Sequence, residues 1–228
     1  MSLSEDFYGI PESNPGLYAS RDIEAIARRW DSKAAQWDSD LENESCHLNE
    51  DDAYERFIEL GRRLVLDREK LCSAGSLVDL GCGTGAVLTE LSTHFGHSVG
   101  IDISQEMLNV AASKSIRNVE WRLEDVFEGS WKGGRHAAVL SRGILLSHYG
   151  GKLAKLLIAQ TVRALAPGGF ALFDFLSGEA PEATKILAPN KTYFCPDWLI
   201  DQAKRLGSSG AVVAGNPIAR VRYLILKD

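Results

Sequence analysis

The sequence predicts an α/β protein: a seven-stranded, mostly parallel sheet with helices on both faces, an antiparallel last strand and an N-terminal helical lid. Three observations predict it. From residue 76 onward, short apolar runs alternate with amphipathic stretches of helix length, which is the pattern of right-handed βαβ units. The first of these runs, Ser76-Leu77-Val78-Asp79-Leu80, leads straight into a glycine-rich turn, Gly81-Cys82-Gly83-Thr84-Gly85. The last two runs are separated by only Gly215-Asn216-Pro217. That is too short for a crossover helix, so they form an antiparallel hairpin at the end of the sheet.

Taken in order, residues 1–20 carry Gly9, Pro11, Pro15 and Gly16 among polar residues and read as an irregular arm. A helix is expected over 22–37, where Trp30, Ala34 and Trp37 fall at i, i+4 and i+7 and place both indoles on one face. The acidic stretch 38–52 reads as a loop. It contains the adjacent pair Cys46-His47, a spacing unlike that of metal ligands on one element, so no metal is expected. A second helix is expected over 53–71, with Phe57, Leu60 and Leu64 as its apolar stripe. Strands are expected at 76–80, 98–102, 118–122, 137–141 and 170–175, and helices at 86–95, 105–115 and 152–166. Pro196 and Asp197 suit the start of a helix over 196–206, and the closing hairpin uses 211–214 and 220–226. The domain reading is an arm and helical lid over 1–72, then the α/β domain over 73–228.

Composition restricts the function. The chain has 228 residues, 45% hydrophobic and 25% charged, ordinary for a folded soluble domain. Its net charge is −6, without the basic excess that drives phosphate-backbone binding, so no nucleic-acid partner is expected. No apolar run reaches bilayer length, so no membrane partner is expected either. Residues 1–20 hold Glu5, Asp6 and Glu12 and no lysine or arginine, unlike the basic start of an export signal. Cys46, Cys72, Cys82 and Cys195 are widely spaced and read as free thiols. The expected location is cytoplasmic. The oligomeric state is left open.

The glycine turn carries the chemistry. Between a strand and a helix, glycines allow a sharp turn and let a ligand approach the main chain. Asp79 precedes the turn, and Asp102 closes the next strand 21 residues after Gly81, where an acid can hold ribose hydroxyls. The spacing is G-x-G-x-G and not G-x-G-x-x-G, which argues for a nucleoside-type ligand over a dinucleotide.

On these residues a family resemblance can be stated. The run from Val78 to Gly85 resembles the first motif of class I S-adenosylmethionine-dependent methyltransferases, whose fold is Rossmann-like. Gly100 to Leu108 resembles their second strand, Arg122-Leu123-Glu124-Asp125-Val126 the third, and Ala164-Leu165-Ala166-Pro167-Gly168-Gly169 the turn before the fifth. The resemblance covers about residues 75–175. It implies S-adenosylmethionine as the cofactor. Asp79, with Gly81, Cys82 and Gly83 of the loop, would position the methionine moiety, and Asp102 would take the ribose diol. Ile103, Met107 and Val126 would pack on the adenine, with Asp125 accepting from its amino group. Ser141 and Arg142 would lie beneath the sulfonium. One departure is His136-Ala137, which stands where the family carries an aromatic-acid pair. Its effect is expected on packing and not on cofactor binding.

For the acceptor, His148, Tyr149 and Asp174 follow strands at the carboxyl edge and are the candidates for catalysis. Each also has a structural reading: His148 or Asp174 as a cap, Tyr149 as packing. Trp30 and Trp37 are either core or a lid with an indole against the sulfonium, and Tyr18 would join such a lid. Tyr193 or Phe194 would line the substrate mouth. The leading expectation is a methyltransferase acting on a small-molecule metabolite. The alternatives are a cyclase releasing methylthioadenosine from the same cofactor, and a non-catalytic cofactor-binding subunit.

Overall fold

The computed structural model describes residues 7–8, 21–42, 52–180 and 191–228. Tyr18 and the Cys46-His47 pair, and most of the expected arm over 1–20 and loop over 38–52, lie outside these residues. The strands are β1 (Phe7–Tyr8), β2 (Ser76–Leu80), β3 (His97–Asp102), β4 (Val119–Leu123), β5 (His136–Ser141), β6 (Leu165–Leu176), β7 (Tyr193–Phe194), β8 (Gly210–Ala214) and β9 (Val221–Lys227). The helices are α1 (Ile23–Asp31), α2 (Trp37–Glu42), α3 (Ala53–Leu66), α4 (Glu69–Ala74), α5 (Ala86–Leu91), α6 (Gln105–Ser113), α7 (Leu145–His148), α8 (Gly151–Ala164) and α9 (Pro196–Arg205).

Seven strands form one sheet in the order β4-β3-β2-β5-β6-β9-β8, and β1 pairs with β7 in a separate two-stranded sheet. The pairings among β2 to β6 are parallel. The closing hairpin is antiparallel, as expected, with β9 threaded between β6 and the edge strand β8. The chain runs from β2 toward β4 on one side and from β5 toward β6 on the other. The strand order therefore reverses between β2 and β5, and the crevice at their carboxyl ends is where such sheets hold ligands.

Consecutive strand residues point to opposite faces, and the core divides accordingly. Val78, Leu80, Ile101 and Phe173 pack with α8 and α9 on one face. Leu77, Leu172 and Phe170 pack with Phe57 and Leu88 from α3 and α5 on the other. Phe57 is fully buried, and the Tyr223 hydroxyl on β9 donates to Ala53 O at 3.0 Å. Part of the segment 1–72 thus belongs to the sheet's second layer.

Several elements are shorter than their periodicity predicts. The helix expected over 22–37 breaks into α1, a 3-10 turn at Ala34–Gln36, and α2. The break follows Asp31, whose carboxylate leaves the helix face to accept from Ser104 Oγ at 2.6 Å and Glu106 N at 3.2 Å. The helix expected over 53–71 divides at Asp67-Arg68. Here the Arg68 guanidinium bonds Leu64 O and reaches Gly168 O across the chain. The helix expected over 86–95 ends at Leu91 and continues as a 3-10 turn, Ser92–His94. Among the described residues no helix is long and apolar enough to cross a membrane.

Candidate functional site

At the sheet's carboxyl edge, α1, α2 and the loops after β2 to β5 enclose a cleft of ≈ 990 Å³, part of it open to solvent. That is room for a nucleoside-sized ligand. Of the residues assigned above to cofactor binding or catalysis, all but Ser141 and Asp174 line it.

The floor is the glycine turn. Gly83 has φ +53, and a Cβ there would sit 3.6 Å from Trp37 Nε1 and 4.0 Å from Met107 Sδ. It would project into the space a ligand needs. Gly85, at φ +80, meets the Trp121 ring 2.7 Å from where its Cβ would be, so this position requires glycine on both counts. The N–H groups of Gly81, Cys82, Gly83 and Gly85 are already engaged. Gly81 N and Cys82 N donate to Ile101 O at 2.8 and 2.9 Å, and Gly83 N donates to Asp102 Oδ2 at 2.8 Å. The turn therefore offers a bare main-chain surface and carbonyls, not an anion-binding nest of N–H groups.

Two carboxylates face this floor. Asp102 is held by Gly83 N and by Ser104 N at 2.9 Å, leaving its remaining lone pairs toward the cleft. Burial raises its pKa while these backbone donors pull it down. Asp79 is different. It is 1% exposed, and neither carboxylate oxygen has a hydrogen-bond partner. Burial, with the charges of Asp102 and Asp174, pushes its pKa up to about 8 against the opposing pull of Arg142. An unsatisfied buried acid is costly, and a cationic group in the cleft would relieve it. The Cys82 thiol, also on this floor, is held neutral by burial.

Ile103, Met107 and Val126 form an apolar wall beside Asp102. At its end, Asp125 accepts from Phe127 N at 2.9 Å and forms an ion pair with Arg21. Arg21 also lies over the Phe127 ring at 4.9 Å. The roof is α1 and the turn after it. Trp30 and Trp37 meet edge to face, ring centroids 5.1 Å apart, and both line the cleft. Three contacts tie this roof down: Arg21 to Asp125, Asp31 to Ser104 and Glu106, and Asp38 to Thr84 Oγ1 and Lys114. Periodicity gave no sign of these three anchors, because each joins residues far apart in sequence.

At the mouth, His148 on α7 stands edge-on to Trp30, centroids 6.2 Å apart, and touches Lys191 Nζ. Tyr149 is buried edge-on against Phe127. Lys191 was not singled out from the sequence, since an isolated lysine in a loop has no pattern to mark it. Ser141 and Asp174 sit beneath the cleft. The Ser141 hydroxyl donates to Leu80 O at 2.7 Å, joining the ends of β5 and β2. The Asp174 carboxylate accepts from Gly143 N at 2.9 Å and Ile144 N at 2.6 Å, which shapes the turn carrying Arg142. Asp174 thus caps that turn from below and does not line the cleft. Tyr193 and Phe194 are buried in β7, Phe194 stacked on Trp198, and neither lines the cleft. His136 bonds Ser76 Oγ at 2.8 Å and Trp131 O at 2.9 Å, far from the glycine turn. Among the described residues no three His, Cys, Asp or Glu side chains converge as a metal set.

Residues 77–169 match a family model described as a methyltransferase domain. A protein-lysine N-methyltransferase of Saccharomyces cerevisiae is 35% identical over 109 residues, covering 44% of this chain and 46% of that protein. A trans-aconitate 2-methyltransferase of Pseudomonas aeruginosa is 36% identical over 126 residues, covering 51% and 42%. The chain thus spans less than half the length of these curated relatives. Among solved structures, the magnesium protoporphyrin IX methyltransferase of Synechocystis with bound S-adenosylhomocysteine superposes with a TM-score of 0.70. The identity is 15%, with 90% of this chain and 99% of that one covered, so this likeness bears on the fold.

Proposed function

We propose that this chain is a class I S-adenosylmethionine-dependent methyltransferase, a reading supported by the methyltransferase-domain match over residues 77–169, and that it binds S-adenosylmethionine in this cleft and methylates a small-molecule acceptor. The observation that carries the reading is Asp79: a buried, unpartnered carboxylate in β2 just before the glycine turn, one strand from Asp102. The cofactor's methionine end bears an ammonium and its ribose a diol, the two groups this pair of acids would hold. Ile103, Met107 and Val126 would take the adenine face. Asp125 would accept from its amino group only by sharing its carboxylate with Arg21.

When bound, the cofactor supplies a methyl group made electrophilic by its sulfonium charge. The protein's part is positional. The roof of Trp30 and Trp37 excludes water and presents indole faces to a cation. His148 and Tyr149 line the side from which an acceptor approaches, where holding a nucleophile in line is worth more than a strong base. A cleft roofed by α1 suits a small acceptor better than a protein surface. The free thiols of Cys72, Cys82 and Cys195 are consistent with work in a reducing cytoplasm.

The test has two parts. Asp102→Ala should weaken S-adenosylmethionine binding at least tenfold by calorimetry, about 1.4 kcal/mol, with the fold intact by circular dichroism. Wild-type protein incubated with the cofactor and the low-mass fraction of a cell extract should release S-adenosylhomocysteine, whereas the protein fraction should not support turnover. Unchanged affinity, or methylthioadenosine formed without an acceptor, would overturn the proposal.

A further inference from the structure

The turn that leaves β5 is strained, and a neighbouring strand holds it in that state. Ile144 sits at φ +56 and ψ +37, the left-handed region that a β-branched residue rarely enters and that costs free energy. Gly143 before it has φ +107. Asp174, buried on β6, accepts from both residues: Oδ2 from Gly143 N at 2.9 Å and Oδ1 from Ile144 N at 2.6 Å. Two residues further along β6, Leu176 N donates to Ser147 Oγ at 2.8 Å, so the same strand also fixes α7. The side chains sort accordingly. Arg142, Gly143 and Leu145 line the cleft, whereas the Ile144 side chain is fully buried in the core of the sheet's second face. Leu145 Cδ1 lies 3.7 Å from where a Gly81 Cβ would stand, so Leu145 closes over the glycine turn. Arg142 lies over the Tyr54 ring at 5.0 Å and acts by charge on both Asp79 and Asp174.

We infer that Asp174 is a positioning residue for methyl transfer: it holds Ile144 left-handed and so sets Leu145 and Arg142 around the cofactor's methionine end, without touching the cofactor itself. The inference rests on the methyltransferase reading of the same cleft. A buried carboxylate is costly unless it is hydrogen-bonded, and here each oxygen takes a charge-assisted bond from a main-chain N–H. A left-handed isoleucine is costly too, and such backbone persists only where its surroundings over-determine it, most often at functional sites. Both costs fall at one point, where the glycine turn, Asp79 and the start of α7 meet. Without the carboxylate, Ile144 would relax toward ordinary backbone, carrying Leu145 away from Gly81 and Arg142 away from Asp79. The sulfonium and its methyl belong to that end of the cofactor, so a shift in this turn disturbs the line of attack, where small misplacements are felt strongly. The residues assigned to ribose and adenine, Asp102, Ile103, Met107 and Val126, come from β3, α6 and the loops after β3 and β4. None of them hangs on this turn.

The test compares two ligands by calorimetry on the full-length protein: S-adenosylhomocysteine, which carries the amino-acid end, and methylthioadenosine, which lacks it. Asp174→Asn replaces one accepting oxygen by an amide that cannot accept from a main-chain N–H. It should weaken S-adenosylhomocysteine about tenfold and methylthioadenosine by less than about twofold. In an Ile144→Gly background the same substitution should cost about threefold or less, because glycine takes the left-handed conformation without help. Hydrogen exchange should show the Gly143 and Ile144 amides losing protection in Asp174→Asn while the amides of β9 keep theirs. Equal weakening of the two ligands, or an undiminished cost beside Ile144→Gly, would make Asp174 a general support of the fold and overturn this inference alone. Unchanged S-adenosylhomocysteine affinity in Asp174→Asn, or loss of its cooperative melt, overturns it as well. Failure of wild type to bind S-adenosylhomocysteine overturns the methyltransferase reading, and this inference with it.

Discussion

Asp79 stands one residue before the end of β2 with both carboxylate oxygens buried and unpartnered, and its behaviour with pH follows from that placement. An exposed aspartate titrates near 3.9, whereas burial raises this one to about 8. The folded pKa lies above the unfolded one, so between these values the native state binds the proton more readily than the unfolded chain. Stability from this group is present at low pH and is lost as pH rises toward 8. The ligand-free protein should therefore melt at progressively lower temperature from pH 5 to pH 8, and Asp79→Asn should flatten that slope. Asp102 and Asp174 are also raised by burial, so some slope will remain. Cofactor binding should show the opposite trend. A cationic group prefers the ionised acid, so affinity should climb with pH, by up to tenfold per unit, and level off above about 8. Calorimetry in buffers of different ionisation enthalpy should detect proton release below pH 8. A flat affinity profile in wild type would remove Asp79 from the binding site. Asp79 and Asp102 were legible in the sequence because each ends an apolar run beside a glycine turn or helix start. The contact of Lys191 with His148 was not, because it joins residues 43 apart in sequence, a pairing no local pattern encodes.

At the scale of elements, the roof shows where periodicity stops being informative. Trp30 and Trp37 at i and i+7 predict one continuous helix, yet the chain leaves α1 at Asp31 and resumes helix only at Trp37. The two indoles do come together, but edge to face across a turn and not along one helix face. What competes with helix propagation is tertiary hydrogen bonding. Asp31 accepts from Ser104 Oγ and Glu106 N at the start of α6, and Asp38 reaches Thr84 and Lys114. The central strands β2, β3 and β5 were easier to read, since each is a short run buried on both faces of the sheet, which leaves little alternative. The two-residue pairing of β1 with β7 is too short to carry any period. If Asp31 fastens the roof, Asp31→Ala should weaken S-adenosylhomocysteine binding about three- to tenfold, the value of one or two charge-assisted hydrogen bonds. The ligand-free melting temperature should change by no more than a few degrees, because the two core clusters do not include this side chain. A large melting shift with unchanged affinity would mean that Asp31 supports the fold and not the roof.

For the molecule as a whole, the question is how much of the segment before β2 is roof and how much is body. The sequence presents 1–72 as one helical run-up to the sheet, because α3 is as amphipathic as α1 and periodicity does not say what an apolar stripe faces. The structure gives the two helices different partners. α1 places Ile26 and Trp30 over the cleft, whereas α3 lays Phe57, Leu64 and Val65 into the core of the sheet's second face. Losing a buried phenylalanine alone costs about 3–5 kcal/mol, against a total stability of about 5–15 kcal/mol for a domain. A chain shortened to begin at residue 52 should therefore fold, melt cooperatively, and bind S-adenosylhomocysteine at least tenfold more weakly. One shortened to begin at residue 67 should lose its cooperative melt altogether, since it uncovers Leu77, Leu88 and Leu172 together with the groove that held Phe57. Circular dichroism melts of the two truncations separate the possibilities. If both fold alike, α3 is part of the roof and the boundary belongs near residue 72. If only the first folds, the body of the protein begins at α3, and the cofactor roof is the short segment carrying Trp30 and Trp37.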